Sequence, residues 1–249
     1  MTGRGSLCGK RKRDCVRLRE DISEAGPEPG GRKGWAWMPV WSALIWAACC
    51  AGAGAAAVKY NGKDRNGDLR RIQLLIAAAA AVIGGAGGWF AAIRTEAVQD
   101  QMRLLLVMMA LCAAAGVDLL VRRIPNLLPL LLLAGFAVCT ALDFILRPDR
   151  AQGLLFSGVL GGAGILAVLG LCRLITRGGI GLGDVKLFSA ASLLLGLYGG
   201  ICTLALGQLA ALAAAVALLL SKKATWKDSI PFAPFLALGF LICLILGTY

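Results

Sequence analysis

The chain contains no histidine. That removes Ser–His–Asp and Cys–His catalysis, and with them the histidine-based zinc motifs such as HExxH. Nine cysteines are present but no CxxC pair. Cys49, Cys50, Cys112, Cys139, Cys172, Cys202 and Cys243 fall in or beside apolar runs, where cysteine behaves as a small hydrophobe. Neither a disulfide framework nor an all-cysteine zinc site is expected. Charge is scarce as well: Asp, Glu, Lys and Arg make up 16% of residues, against about 25% in soluble domains. With so much of the catalytic repertoire missing, carboxylates gain weight by elimination.

What fills the chain is apolar sequence, 58% of all residues. It comes in runs of roughly 18–24 residues, the length that crosses a bilayer core of about 30 Å. The polar stripe at helical period that a soluble bundle carries on each helix is missing. The expected fold is therefore all-α, a polytopic membrane helix bundle of about eight transmembrane helices. The runs predict spans over about 35–58, 72–93, 104–121, 127–146, 154–175, 184–199, 200–220 and 230–248, with only Gly199 and Gly200 separating the sixth from the seventh. Trp35, Trp37 and Trp41 crowd the start of the first span, as an interfacial aromatic belt does. Residues 1–34 are basic and Gly-containing, cannot bury a core and are expected to be disordered. They read equally as a genuine tail or as sequence ahead of a true start at Met38.

The net charge is +12. No basic, aromatic-interleaved soluble domain exists to carry nucleic acid, so none is expected as a partner. In a membrane protein the excess anchors cytoplasmic loops beside anionic lipid. If the 122–126 connection is cytoplasmic, alternation puts 59–71, 176–183 and 221–229 on the same side. Thirteen Lys and Arg then lie inside and only Arg94, Arg103, Arg147 and Arg150 outside. The positive-inside rule favours that orientation, although it leaves the basic tail on the outer side.

Acids at the edge of a span are expensive to keep and point to function. Asp143, just before Arg147, reads as an interfacial acid paired with a nearby Arg. Asp118 sits one turn inside the end of the third span, followed by Arg122-Arg123-Ile124-Pro125-Asn126. Pro125 disfavours helix at Ile124, so the helix breaks there and leaves the carboxylate beside an opening for water and substrate. The bland alternative pairs Asp118 with Arg122. Asp184 ends the stretch Gly178-Gly179-Ile180-Gly181-Leu182-Gly183-Asp184. Its glycines permit positive φ and close backbone approach, and its position at a helix start suits a carboxylate.

Two spans separate Asp118 from Asp184, so the chain returns to the same face and the two acids share a side and a depth. Neighbouring carboxylates cannot both ionise easily and titrate as a pair. One can take a proton from water attacking a peptide carbonyl; the other can donate to the oxyanion or the leaving amine. No metal or cofactor is expected. Sequence does not assign the two roles. Lys186 either anchors the loop at the interface, acts on Asp184 or orients substrate. Asn126 either caps the next helix, the simpler reading, or contacts substrate backbone.

At these residues the chain resembles the prepilin peptidases of the GxGD aspartic class. Asp118 with Ile124-Pro125-Asn126 is similar to the family's first aspartate and its Ile-Pro-Asn turn. Gly181-Leu182-Gly183-Asp184-Val185-Lys186-Leu187 is similar to its GxGDxKL segment. Ile230-Pro231-Phe232-Ala233-Pro234-Phe235 is similar to its Pro-Phe-Gly-Pro-Phe stretch, with Ala233 where Gly is usual. The resemblance divides the chain into the tail, N-terminal transmembrane helices over 35–103 and a peptidase core over 104–249. It implies catalysis by Asp118 and Asp184, with Gly181, Gly183, Lys186, Pro125 and Asn126 shaping the site or binding substrate. It also implies removal of a short basic leader from type IV prepilins or pseudopilins, at the cytoplasmic face of a bacterial cell membrane. The larger members carry a cysteine-paired cytoplasmic domain tied to N-methylation; here loop 59–71 has no cysteine, so peptidase without methyltransferase activity is expected.

Two other readings stand beside it. Presenilin-type intramembrane peptidases share the second aspartate motif, but place the first in a Tyr-Asp pair, where this chain has Val117. A proton- or cation-coupled transporter also uses acids beside Gly-broken helices, and an inactive pilus-assembly scaffold would keep the fold without the chemistry. Oligomeric state is not legible.

Overall fold

The computed structural model describes residues 38–61, 68–95, 97–121, 124–177, 179–221 and 231–248. The basic tail, Trp35 and Trp37, and the loop cations Lys63, Arg65, Arg122, Arg123, Lys222, Lys223 and Lys227 lie outside them. Among the described residues there are seven helices and no strand: α1 (Met38–Asn61), α2 (Asp68–Arg94), α3 (Val98–Val121), α4 (Leu127–Leu146), α5 (Pro148–Ile175), α6 (Leu182–Leu220) and α7 (Ala233–Leu246). Six are long and apolar enough to cross a membrane, α7 being the short one.

The expected sixth and seventh spans are the two limbs of α6, two helices running on across a break, so that eight helical segments are present among the described residues. The break lies at Gly196 (φ 75°, ψ 179°), not at Gly199–Gly200. The break turns the chain back on itself. A Cβ on Gly200 would lie 2.8 Å from the Ser192 hydroxyl, whereas residues eight apart on a straight helix are about 12 Å apart. Both limbs of α6 therefore end toward the same face. Gly158, Gly161 and Gly162 of α5 let that helix sit directly on the first limb and the turn, against Leu193 and Gly196.

Small residues set the other close contacts, as they do where lipid supplies no hydrophobic drive between helices. Gly84 and Gly88, one turn apart on α2, face Cys50 and Trp46 of α1, leaving no room for a methyl group. Gly87 faces Met108 of α3 and Leu244 of α7. α3 is the buried centre, with Val107, Met108, Leu111, Ala114 and Val117 fully covered.

Helix ends extend past the apolar runs where polar side chains find partners. α3 starts at Val98 rather than 104 because its first turns carry Asp100 and Arg103. Arg103 ion-pairs with Asp143 on α4, and Arg147 pairs with Asp100 at 3.3 Å. Asp143 is thus paired with an Arg, but the buried one 40 residues away rather than its sequence neighbour Arg147. α5 starts at Pro148, the proline position of a helix start, with Asp149 favoured in its first turn.

At the opposite end of α2, Arg94 donates to the carbonyls of Ile245 (2.8 Å) and Leu246 (3.3 Å), closing the C-terminus of α7 beside the left-handed Gly247. A cation there satisfies orphan carbonyls and opposes the helix dipole. Arg94→Ala is expected to lower stability by about 1 kcal/mol, read as a small drop in thermal midpoint in detergent with no change in helix content.

Candidate active site

Three chain segments far apart in sequence meet where α3 ends, α6 begins and α7 begins. Asp118 is one turn inside the end of α3 and only 7% exposed. Its Oδ2 accepts a hydrogen bond from the backbone N–H of Ala233 at 3.2 Å. Ala233 opens α7, and its N–H is one of the donors a helix start leaves without an intrahelical partner. Phe232 makes no side-chain cap and Pro234 has no N–H to offer. The carboxylate of α3 therefore caps α7 from another helix, in the direction the helix dipole favours. The Pro-Phe-Ala-Pro stretch thus meets the first aspartate directly. No spacing in the sequence revealed this, because the contact is made by backbone.

Asp184 lies in the first turn of α6 behind Gly181 as N-cap. It is half-buried, and its Oδ1 is inaccessible with no hydrogen-bond partner. The two glycines before Asp184 are there for space, not for conformation. A Cβ on Gly181 would come within 2.9 Å of Asp184 Oδ2, and one on Gly183 within 3.0 Å of Ile124 Cβ. Gly181 has φ −60° and ψ 133°, open to any residue. Among the described residues the positive φ in this loop falls on Arg177 (49°), which corrects the expectation for the glycines; Gly178 lies outside the described residues. Ile124, at the break after α3, is the residue that packs the two aspartate segments together.

The remaining candidates are placed less centrally. Pro125 and Asn126 lead into α4, where Leu128 N–H bonds to the Pro125 carbonyl at 3.2 Å. Asn126 is exposed and its side chain makes no cap bond, so the capping role expected for it is not seen: its backbone is helical (φ −63°, ψ −12°), not the extended form that aims a capping side chain. Lys186 is exposed. The ion pairs among the described residues are Arg103–Asp143 and Arg147–Asp100, and Lys186 belongs to neither. Lys186 and Asn126 instead share the rim of an apolar cavity of about 510 Å³ between α4, α5 and α6. A second cavity, about 340 Å³, lies between α2, α3 and α7 and reaches Gly116, Leu119 and Pro234, next to Asp118 and Ala233. Arg122, the alternative partner for Asp118, lies outside the described residues.

One residue escaped sequence reading altogether. Arg173, counted only among the loop cations, donates from Nη1 to the Ile180 carbonyl. The model of the type IV leader peptidase family matches residues 105–248, which include both aspartates, Arg173 and the start of α7. No curated protein and no solved structure matches the chain.

Proposed function

Because the chain belongs to the type IV leader peptidase family, we propose that it is an aspartic endopeptidase whose Asp118 and Asp184 together activate water. The observation that carries this reading is the convergence of the two aspartate segments, Gly183 of α6 lying against Ile124 just past α3, beside two apolar recesses. One carboxylate, ionised, takes a proton from water as its oxygen bonds to the scissile carbonyl carbon. The other, protonated, donates to the oxyanion or to the leaving amine as the C–N bond breaks. The pair recovers its shared proton at the end of the cycle. In this reading Asn126 and Lys186, which line the larger recess, meet the substrate chain as it enters from the side.

The substrate in this reading is a prepilin-like protein with a short basic leader ahead of an apolar helix, cut at the cytoplasmic face of a bacterial cell membrane. The apolar recesses suit the helix that follows the cut. A transport site would place its acids at the helix break inside the bilayer. Here the break is at Gly196, about 18 Å along the helix from Asp184.

The test is cleavage in proteoliposomes holding the purified protein and a prepilin, with the products weighed by mass spectrometry. The expected result is a released leader and a mature chain with a free amino terminus. With S-adenosylmethionine added, the mature chain is expected to gain no methyl group; α1 ends at Asn61 and α2 begins at Asp68, leaving six residues between them. If several prepilins remain intact, the peptidase reading fails and proton or cation flux becomes the assay to run. If the mature chain gains a methyl group, the expectation of no transferase activity fails.

A further inference from the structure

We infer that Arg173 is a positioning residue for Asp184: it fixes the Gly-rich loop before α6 so that the second carboxylate is presented to the first. This rests on the aspartic-peptidase reading above. α5 ends at Ile175, and Thr176 closes it with its backbone N–H on the Cys172 carbonyl at 2.9 Å and its hydroxyl on the same carbonyl at 2.8 Å. The chain must then reverse into α6 within a few residues. Arg177 does so in the left-handed region (φ 49°), where a non-glycine residue is strained. That conformation persists only if something outside the turn holds the loop.

Two contacts do so. Gly179 N–H bonds to the Thr176 carbonyl at 3.3 Å, a local turn. The Arg173 guanidinium, reaching from the last turn of α5, takes the Ile180 carbonyl. It is the one side-chain hydrogen bond among the described residues to the backbone of 179–183. A guanidinium presents five N–H donors in a fixed planar fork, which suits it to pin a backbone oxygen. Ile180 itself packs against the core. Next come Gly181, which leaves room for the Asp184 carboxylate, and Gly183, which sits on Ile124 below Asp118. Registration of Ile180 therefore passes through four residues to Asp184. Arg173 touches neither carboxylate in this arrangement; it acts through the loop.

The experiment compares Arg173→Ala, Arg173→Lys and Arg177→Gln in the full-length protein. Arg177 is exposed on the same loop and controls for loss of one positive charge. Backbone hydrogen exchange over 179–186 gives a readout that does not require activity. Arg173→Ala is expected to lose protection there and to lose kcat by about tenfold or more, with KM within twofold and the thermal midpoint little changed. Arg173→Lys, which keeps a donor, is expected to recover part of both, and Arg177→Gln to match wild type. Unchanged exchange and kcat in Arg173→Ala would overturn the inference, as would equal losses in Arg177→Gln or a collapse of the thermal midpoint, which would make Arg173 a residue of the fold. If wild type itself cuts no prepilin, the peptidase reading fails, while the exchange data still report whether Arg173 orders the loop.

Discussion

Asp118→Asn and Asp184→Asn are each expected to reduce prepilin cleavage by about 10²–10⁴-fold, the range that removal of a positioned acid or base covers, with both variants inserting and unfolding like wild type. The structure explains why folding is spared. Asn at 118 keeps a carbonyl oxygen that can accept the Ala233 N–H, so α7 stays capped. Asn at 184 replaces a carboxylate whose Oδ1 makes no hydrogen bond to be broken. What each change removes is the ability to hold or release a proton. In the proposed dyad the two groups act as one unit, so the double variant is expected to lose little more than either single one. The measurement is single-turnover cleavage of reconstituted prepilin, with thermal unfolding of each variant alongside. Wild-type cleavage by either single variant would sink the dyad. A double variant showing the product of the two single losses would mean that the carboxylates work separately.

Much of this arrangement could be read from the chain, and what could not has a physical reason. Apolar run length placed α4 at 127–146, where it is found, because a span is dictated by bilayer thickness and needs no partner to be recognised. The even number of crossings put Asp118 and Asp184 on one face by counting alone. Tertiary contacts were the illegible part. Asp143 is bonded to Arg103 on the facing helix, 40 residues away, although Arg147 is one turn along. The reversal of α6 falls at Gly196 rather than at Gly199 or Gly200. All three can turn a chain, and the choice is made by α5, whose Gly161 leaves room for the Gly196 backbone and whose Ser157 hydroxyl accepts the Leu197 N–H at 3.3 Å. The glycines before Asp184 were legible as sites of close approach, but not what approaches: the Asp184 carboxylate and Ile124. The Ala233 N–H on Asp118 was invisible, since every residue but proline has that donor.

Gly239→Ala, a change of one methyl group, is expected to undo the docking of α7 and with it the capping of α7 by Asp118. A Cβ at 239 would sit 2.4 Å from the Gly207 nitrogen, 2.7 Å from its Cα and 2.8 Å from the Thr203 carbonyl oxygen. All three are backbone atoms of the second limb of α6, so no side chain can swing aside and the two helices must separate. Overpacking of this kind costs about 1–3 kcal/mol, and more where only backbone can give way. Here the consequence also travels along α7: Ala233 lies six residues before Gly239, about 9 Å along the axis, and its N–H would leave Asp118. Activity is therefore expected to fall further than the loss of folded protein alone accounts for. Gly170→Ala on α5 supplies the contrast. Nothing lies within 4 Å of a Cβ there, and exchanging glycine for alanine inside a helix gains up to about 1 kcal/mol. Thermal unfolding and cleavage measured on both variants decide the matter. If Gly239→Ala unfolds and cuts like wild type, then the close approach of α6 and α7 is not what holds the C-terminal helix against the dyad.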